Sequence, residues 1–295
     1  MSDWAVGIST GCFYHSTIFS SLETIRRGGF CMLEVCSSPR HLDYHDQGAV
    51  KKAARLIDEL GMEAYSFHAP FAENIDITSM HDKQREYSKH ELIKAADAAA
   101  TLHARYFVTH PGPEKSIEAA PAERMHRMYN AAEVLDAVSE HCHRLGIGLI
   151  LENMLPHLFF GNTRDMLWIM GAINHVNVGT CLDTGHATLS GDIYRVMYKL
   201  SGHLKLIHAN DNNRHGDDHL PPGKGCIDWK RLLTELNQTG FQGGLILELS
   251  GDTNETPEQI LNHARSARQL IRKLSRQIAL SSPPTVSAGN QPPLD

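Results

Sequence analysis

The feature that most constrains this chain is an eightfold alternation of short apolar runs with longer amphipathic segments. The apolar runs predict strands, and the longer segments, several of which stop at a glycine such as Gly61 or Gly146, predict helices. Strands are predicted at residues 5–10, 31–36, 62–67, 105–109, 148–151, 176–182, 204–207 and 244–247. Helices are predicted at residues 20–29, 47–60, 81–102, 122–145, 163–173, 192–200, 228–239 and 257–277.

Strict alternation of strands with helices indicates a parallel sheet. The runs LILE at 149–152 and LKLI at 204–207 do not alternate between apolar and polar residues, as expected when helices cover the sheet. No glycine-rich nucleotide loop follows the first strand, which disfavours an open nucleotide-binding fold. We therefore predict an α/β fold, a single (β/α)8 TIM barrel over residues 1–279, with a disordered tail rich in Ser and Pro at 280–295.

Charge and cysteine usage narrow the class of protein. The 295 residues carry a formal net charge of −6, which gives no broad attraction to nucleic acid or to an anionic membrane. No apolar run reaches the length of a membrane span, and the N-terminus lacks the pattern of a signal peptide. The six cysteines form no Cys-x-x-Cys pair and are expected to be reduced, mostly buried thiols, so a cytoplasmic location is predicted.

Ligand-type residues follow six consecutive predicted strands, where the catalytic groups of TIM barrels lie. In chain order they are His68, His110, Glu152, Asp183, His208 and Glu248. Each alone has a common structural explanation, as a hydrogen-bonded histidine or a solvated acid. Carboxylates that converge on one mouth repel each other, however, and a cation relieves that repulsion. Mixed imidazole and carboxylate ligands suit Zn²⁺, Mn²⁺ or Fe²⁺ better than Ca²⁺, so a divalent metal site is predicted.

Other polar residues extend this prediction. His186 lies three residues after Asp183, and Asp217 and His219 lie in a polar loop at 212–226 that could reach back over the mouth. The alternative for this loop is a solvated polar segment. Glu34, at the end of the second predicted strand, is a candidate substrate contact or a solvated acid at the rim.

The order of these motifs resembles that of the xylose-isomerase-like TIM barrel superfamily. This superfamily includes sugar phosphate isomerases, 3-epimerases and the endonuclease IV-like proteins of AP endonuclease family 2. The resemblance covers about residues 5–275. It rests, in order, on the segments SFHAPF, THPGP, LENM, CLDTGH, IHAND, DDHLPPGKG and LELS.

The resemblance implies two possible metal sites. In the epimerase branch one metal is held at the positions of Glu152, Asp183, His208 and Glu248, and the two glutamates transfer the proton. In the endonuclease branch three zinc ions use these four positions and five more. The additional metal or substrate positions are His68, His110, His186, Asp217 and His219. All nine are present, so one to three divalent ions (Mn, Zn, Fe or Mg) are expected.

The sequence around these positions favours the isomerase and epimerase branch. His-Ala-Pro-Phe at 68–71 and Glu-Asn-Met-Leu-Pro at 152–156 look like that type. Pro113 and Glu114 stand where the endonucleases carry a second histidine, and Asn212 and Asn213 stand where they carry a basic residue. No Lys/Arg cluster or set of stacking aromatics marks a DNA track in the sequence.

We therefore predict a metal-dependent sugar or sugar phosphate isomerase, of the aldose–ketose isomerase or ketose 3-epimerase type, that transfers a proton through an enediolate. Glu152 and Glu248 are the predicted catalytic pair, and His186 and Glu34 are predicted to contact substrate. The expected partner is a small sugar or polyol and not nucleic acid or a membrane, and a homo-oligomer is a further expectation. The alternatives are a zinc phosphodiesterase acting on abasic DNA, a metal-dependent sugar lyase, and a non-catalytic member of the barrel family.

Overall fold

A computed structural model of the protein describes residues 4–250 and 255–281. Eight parallel strands close into one barrel, in which each strand pairs with the next along the chain and β8 pairs with β1. The strands are β1 (Val6–Ser9), β2 (Met32–Cys36), β3 (Glu63–His68), β4 (Tyr106–Thr109), β5 (Gly148–Glu152), β6 (Val178–Asp183), β7 (Leu204–Ala209) and β8 (Gly244–Leu247).

Helices connect the strands and surround the barrel. They are α1 (Ile18–Arg27), α2 (Gln47–Glu59), α3 (Asp82–Thr101), α4 (Pro121–Arg144), α5 (Thr163–Ala172), α6 (Thr184–Leu189), α7 (Ile193–Leu200), α8 (Trp229–Gln238) and α9 (Pro257–Ser281). A 3-10 helix, Thr10–Phe13, follows β1 directly. In the described part of the chain no helix is both long and apolar enough to cross a bilayer.

The predicted barrel and its eight strands are confirmed, with boundaries that differ by a few residues. The 3-10 helix Thr10–Phe13 and the short helix α6 were not predicted, because neither is long enough to show a helical period of apolar residues. The last helix continues to residue 281, two residues beyond the predicted end of the barrel. The rest of the predicted tail, residues 282–295, lies outside the described residues.

Two apolar layers hold the barrel together. The larger lies between the strands and the helices, and a smaller cluster fills the inside of the barrel. The inner cluster consists of Met32, Tyr65, Val108, Ile150, Cys181, Leu206 and Ile246, with Tyr106 packed against it. Side chains two residues apart on a strand point to the same face. On β2 and on β4 to β8, the residues two positions beyond these are therefore directed into the mouth above the inner cluster. On β3 the register shifts, and His68, three residues after Tyr65, is the residue that reaches the mouth.

Candidate metal centre

Four side chains from neighbouring strands meet at the mouth of the barrel. Glu152 and Asp183 end β5 and β6, His208 lies near the end of β7, and Glu248 directly follows β8. Each stands two residues after a member of the inner apolar cluster. Each contributes one potential ligand atom, and these atoms lie within 4.8 Å of one another. We call Glu152, Asp183, His208 and Glu248 the inner group; it is the set of residues that the sequence predicted for a single metal.

His208 lies at the centre of the inner group and is fully buried. Its Nε2–H donates to Glu34 Oε2 at 3.0 Å, which leaves Nδ1 without a proton in the neutral ring. Nδ1 lies 3.2 Å from an oxygen of Glu152 and 3.2 Å from an oxygen of Glu248, but it has no hydrogen-bond partner within the described part of the chain. In the neutral ring the lone pair on Nδ1 is repelled by both carboxylates, so this position suits a cation, either a proton or a metal ion.

A second set of potential metal ligands shares Glu152. His68 Nε2 lies 3.1 Å and His110 Nε2 lies 3.4 Å from the same oxygen, Glu152 Oε2. The Nδ1–H of His68 donates to the carbonyl of Ala69 at 2.9 Å, so in the neutral ring Nε2 presents a lone pair to the carboxylate. We call His68, His110 and Glu152 the side group.

The loop after β7 supplies most of a third set. Asp217 Oδ2 lies 3.3 Å from His186 Nε2 and 3.1 Å from His219 Nε2. The loop therefore reaches back over the mouth, as the sequence analysis suggested, and is not only a solvated segment. His219 takes a left-handed backbone conformation (φ 45°), which is uncommon outside glycine and is often found at functional sites. We call His186, Asp217 and His219 the outer group.

Asp183 both belongs to the inner group and begins a helix. Its Oδ1 accepts a hydrogen bond from the backbone N–H of His186 at 2.7 Å, which caps the N-terminus of α6. Its Oδ2 accepts a bond of 2.6 Å from the Asn210 side chain. A Cβ at Gly185 would collide with Asn210, so glycine allows this close approach. The hydrogen bond that caps α6 therefore fixes the relative positions of two ligand-type residues, Asp183 and His186.

The loop that carries Asp217 is anchored by Asp211, which sequence reasoning did not single out. Asp211 pairs with Leu220 through both backbone groups. Its carboxylate accepts hydrogen bonds from the backbone N–H groups of Gly223 and Ile227 and from Trp229 Nε1, at 3.0, 3.1 and 2.9 Å. This aspartate closes the base of the loop and so fixes where the outer group stands.

Glu34 is fully buried, so the alternative of a solvated acid at the rim is wrong. Its Oε2 accepts hydrogen bonds from Ser66 Oγ at 2.9 Å and from His208. It lies behind His208, on the side away from Glu152 and Glu248. Its predicted role as a substrate contact stays a prediction.

The carboxylates and imidazoles of the site shift each other's pKa in opposite directions. Burial lowers the pKa of His68, but the hydrogen bond and charge of Glu152 outweigh burial and raise it to about 9. For His219, burial is likewise outweighed by Asp217, and the pKa rises to about 10. Burial raises the pKa of Glu248, yet His208 outweighs it and lowers the pKa to about 2. The site therefore holds positive charge as protons when no metal is bound, and its donors fit divalent cations.

A cavity of about 70 Å³ lies over the three groups. One wall is apolar and consists of Phe71, Met154, Leu155 and Leu158. Phe71 is 40% exposed and packs its ring against those of His68 and His110. Among residues 4–250 and 255–281, no Lys or Arg side chain lines this cavity. Sequence reasoning missed the apolar wall, because its residues come from two loops and show no pattern.

A basic groove of about 890 Å³ adjoins the mouth, and Leu158 lines both spaces. The cations along it come from three helices, Arg124 from α4, Arg164 from α5, and Arg195 and Lys199 from α7. Arg124 is paired with Asp165, which also lines the groove. The sequence showed no Lys/Arg cluster here, because these residues are brought together only by the packing of the helices.

Comparisons with known proteins agree with this architecture. Residues 22–274 match the family described as xylose isomerase-like TIM barrel. The chain is 28% identical over 252 residues to the uncharacterized protein MJ1311 of Methanocaldococcus jannaschii, covering 83% of this chain and 84% of that protein. It is 25% identical over 237 residues to a probable endonuclease 4 of Malacoplasma penetrans, covering 72% and 78%. The crystal structure of a D-tagatose 3-epimerase-like protein superposes with a TM-score of 0.81 at 24% identity, covering 94% of this chain and 98% of that one.

Proposed function

The chain belongs to the xylose isomerase-like TIM barrel family, and from this premise we propose that it is a divalent-metal-dependent isomerase or 3-epimerase of a small sugar or polyol. The observation that carries the proposal is the placement of Glu152 and Glu248 on two sides of His208 Nδ1, each 3.2 Å from it. Two carboxylates are thereby held around one cation position and remain available for proton transfer.

A divalent cation in the inner group would act as a Lewis acid and stabilise the negative charge that develops on neighbouring substrate oxygens. One of Glu152 and Glu248 removes the proton bound to the substrate carbon, and the other returns a proton at the neighbouring carbon or on the opposite face. His186 is suitably placed to hydrogen-bond a substrate oxygen, because its Nδ1–H is already donated to the carbonyl of Asn153 and Nε2 faces the cavity. The apolar wall around Phe71 excludes water from the reacting carbon.

The lining of the cavity supports a sugar over a nucleic acid as the substrate. Its polar groups are carboxylates and imidazoles, and the residues that the structure describes place no Lys or Arg there to receive a phosphate. We include in the proposal a cytoplasmic location, in keeping with six free cysteines. We also include in the proposal that the protein forms a homo-oligomer.

The test is proton exchange in D₂O with a panel of ketoses and aldoses, and with their phosphates, using protein loaded with Mn²⁺, Co²⁺ or Zn²⁺. An isomerase or epimerase exchanges one carbon-bound proton and yields an isomer, and both products are visible by NMR. A lyase would instead give an unsaturated product from a 3-keto sugar. Absence of exchange across the panel with metal-loaded protein contradicts the proposal.

A second candidate, a metal-assisted phosphodiester hydrolase, is favoured by two specific observations. The side and outer groups offer room for two further ions beside the inner group, and multi-metal sites stabilise both the attacking and the leaving oxygen of a phosphoryl group. The basic groove beside the mouth provides cations for phosphates. Nicking of a duplex that contains one abasic site, in the presence of Zn²⁺, would establish this candidate, and loss of nicking in Glu152→Gln would assign it to this site.

A further inference from the structure

Four of the five histidines of the site, all except His110, are held in two different ways. Three of them donate Nδ1–H to a backbone carbonyl and present Nε2 to a carboxylate. These pairs are His68 with Ala69, His186 with Asn153 and His219 with Glu248, at 2.9, 2.8 and 3.0 Å. His208 is held from its opposite nitrogen, and by a carboxylate side chain instead of the backbone. The central histidine of the inner group therefore depends on a residue outside that group.

We propose that Glu34 is a positioning residue that fixes the orientation and the tautomer of His208 for cation binding. This proposal rests on the metal site of the proposed function. Glu34 Oε2 lies 3.0 Å from His208 Nε2 and, as a carboxylate, accepts a hydrogen bond from it. This hydrogen bond favours the tautomer of the neutral ring that carries its proton on Nε2. Nδ1 keeps its lone pair and faces Glu152 and Glu248.

The opposite tautomer would be unfavourable for cation binding in two ways. It would bring a lone pair of Nε2 against the Glu34 carboxylate, and it would place a proton where the cation binds. A carboxylate that accepts a hydrogen bond from a metal-bound imidazole also makes the imidazole a stronger donor. Glu34 therefore favours cation binding both by orienting His208 and by its charge.

The surroundings of Glu34 are built to hold the carboxylate in place. Ser66 Oγ donates to the same oxygen at 2.9 Å, and the Cys36 thiol lies 4.0 Å from the other oxygen. Among the described residues the ion pair recorded for Glu34 is with His208 alone, and no Lys or Arg pairs with it. A buried carboxylate is costly without a compensating charge. A cation on the Nδ1 side of the His208 imidazole, opposite Glu34, would supply that compensating charge.

The first experiment compares Co²⁺ binding by the full chain and by Glu34→Gln, which keeps the size of the side chain and removes its charge. We expect one Co²⁺ per chain to bind about 10–100-fold more weakly, the usual cost of losing such a partner of a metal ligand. The matched control is Glu91→Gln. Glu91 is also a buried carboxylate, but it accepts a hydrogen bond from Tyr44 outside the mouth. The control should bind Co²⁺ as the wild type does.

The second experiment uses the metal-free protein and reads the tautomer of His208 from ¹⁵N chemical shifts at a pH where the ring is neutral. The fraction of rings with the proton on Nε2 should be smaller in Glu34→Gln than in the wild type, because Glu34 favours a proton on Nε2 whereas Glu152 and Glu248 favour one on Nδ1. If the Gln variant fails to fold, Glu34→Asp takes its place. This variant keeps the charge but shortens the side chain by one methylene, so it should show a partial loss of Co²⁺ affinity and a partial loss of the Nε2-protonated tautomer. An unchanged tautomer together with unchanged Co²⁺ affinity overturns the role of Glu34. Failure of the wild type to bind metal would contradict the proposed function instead, and the tautomer measurement would still test Glu34.

Discussion

The inner and outer groups contain the same kinds of residues but are held by different parts of the fold. The inner group stands on or directly after strands, and its Glu152, Asp183 and His208 are fully buried. In the outer group, Asp217 and His219 lie in a loop, and their side chains are 25% and 23% exposed. Strand ends in a closed barrel have little freedom, whereas a loop adjusts to what binds it. We therefore expect the inner group to be preformed and the outer group to be completed by its ligand.

The largest effect is expected at Glu152, which belongs to both the inner and the side group. Glu152→Gln keeps the size and removes the basic carboxylate, so turnover should fall by roughly 10²–10⁴-fold. Turnover and metal content should be measured together, because the residue has two roles. Near-normal turnover in a folded, metal-loaded variant would remove Glu152 from the mechanism.

Substitution in the side group should remove an ion without disturbing the inner group. His110→Ala deletes a ligand whose contact in the site is with Glu152, so the metal-to-protein ratio at saturation should fall by about one ion. The inner ion should remain. The ratio is measured by elemental analysis after removal of free metal. One ion per chain in the wild type, unchanged in the variant, would instead leave a single site with the extra histidines as substrate contacts.

Metal affinity should rise with pH, because binding displaces protons. In the metal-free fold burial opposes protonation, but carboxylates raise the pKa of His68 to about 9 and of His219 to about 10, above the usual 6.5. Their stabilisation is therefore fully present below about pH 6.5 and is lost as pH rises towards 9–10. Metal needs the neutral rings, so affinity should increase about tenfold per pH unit for each proton released. Calorimetry in buffers of different ionisation enthalpy counts these protons, and pH-independent binding would contradict the prediction.

The smallest effect is expected at the base of the loop. In Asp211→Asn the amide nitrogen does not accept hydrogen bonds, so some of the bonds from Gly223, Ile227 and Trp229 are lost. Binding at the outer group should weaken by roughly 5–30-fold, corresponding to about 1–2 kcal/mol, while the inner group keeps its affinity. Equal weakening of metal binding at both groups would show that the loop and the strand ends do not act as separate units.

Residues on strands were far easier to predict from the sequence than the contacts between elements. Glu152, Asp183, His208 and Glu248 follow recognisable apolar runs, and the barrel brings the ends of those runs to one mouth. Glu34 also ends such a run, but its burial behind His208 depends on the neighbouring strand and on Ser66. The basic groove was missed for a related reason, since its cations are far apart in the chain.

The sequence by itself determined the order of strands and helices and the residue types at each strand end. The reason is that apolar periodicity and chain connectivity are local properties, and a closed parallel barrel is the arrangement that buries eight such units. The tertiary structure alone decided which atoms face each other. It turned Nδ1 of His208 towards two carboxylates and Nε2 towards Glu34, and it brought Asp217 within 3.3 Å of His186. Those distances depend on packing between distant segments, which no local pattern in the sequence encodes.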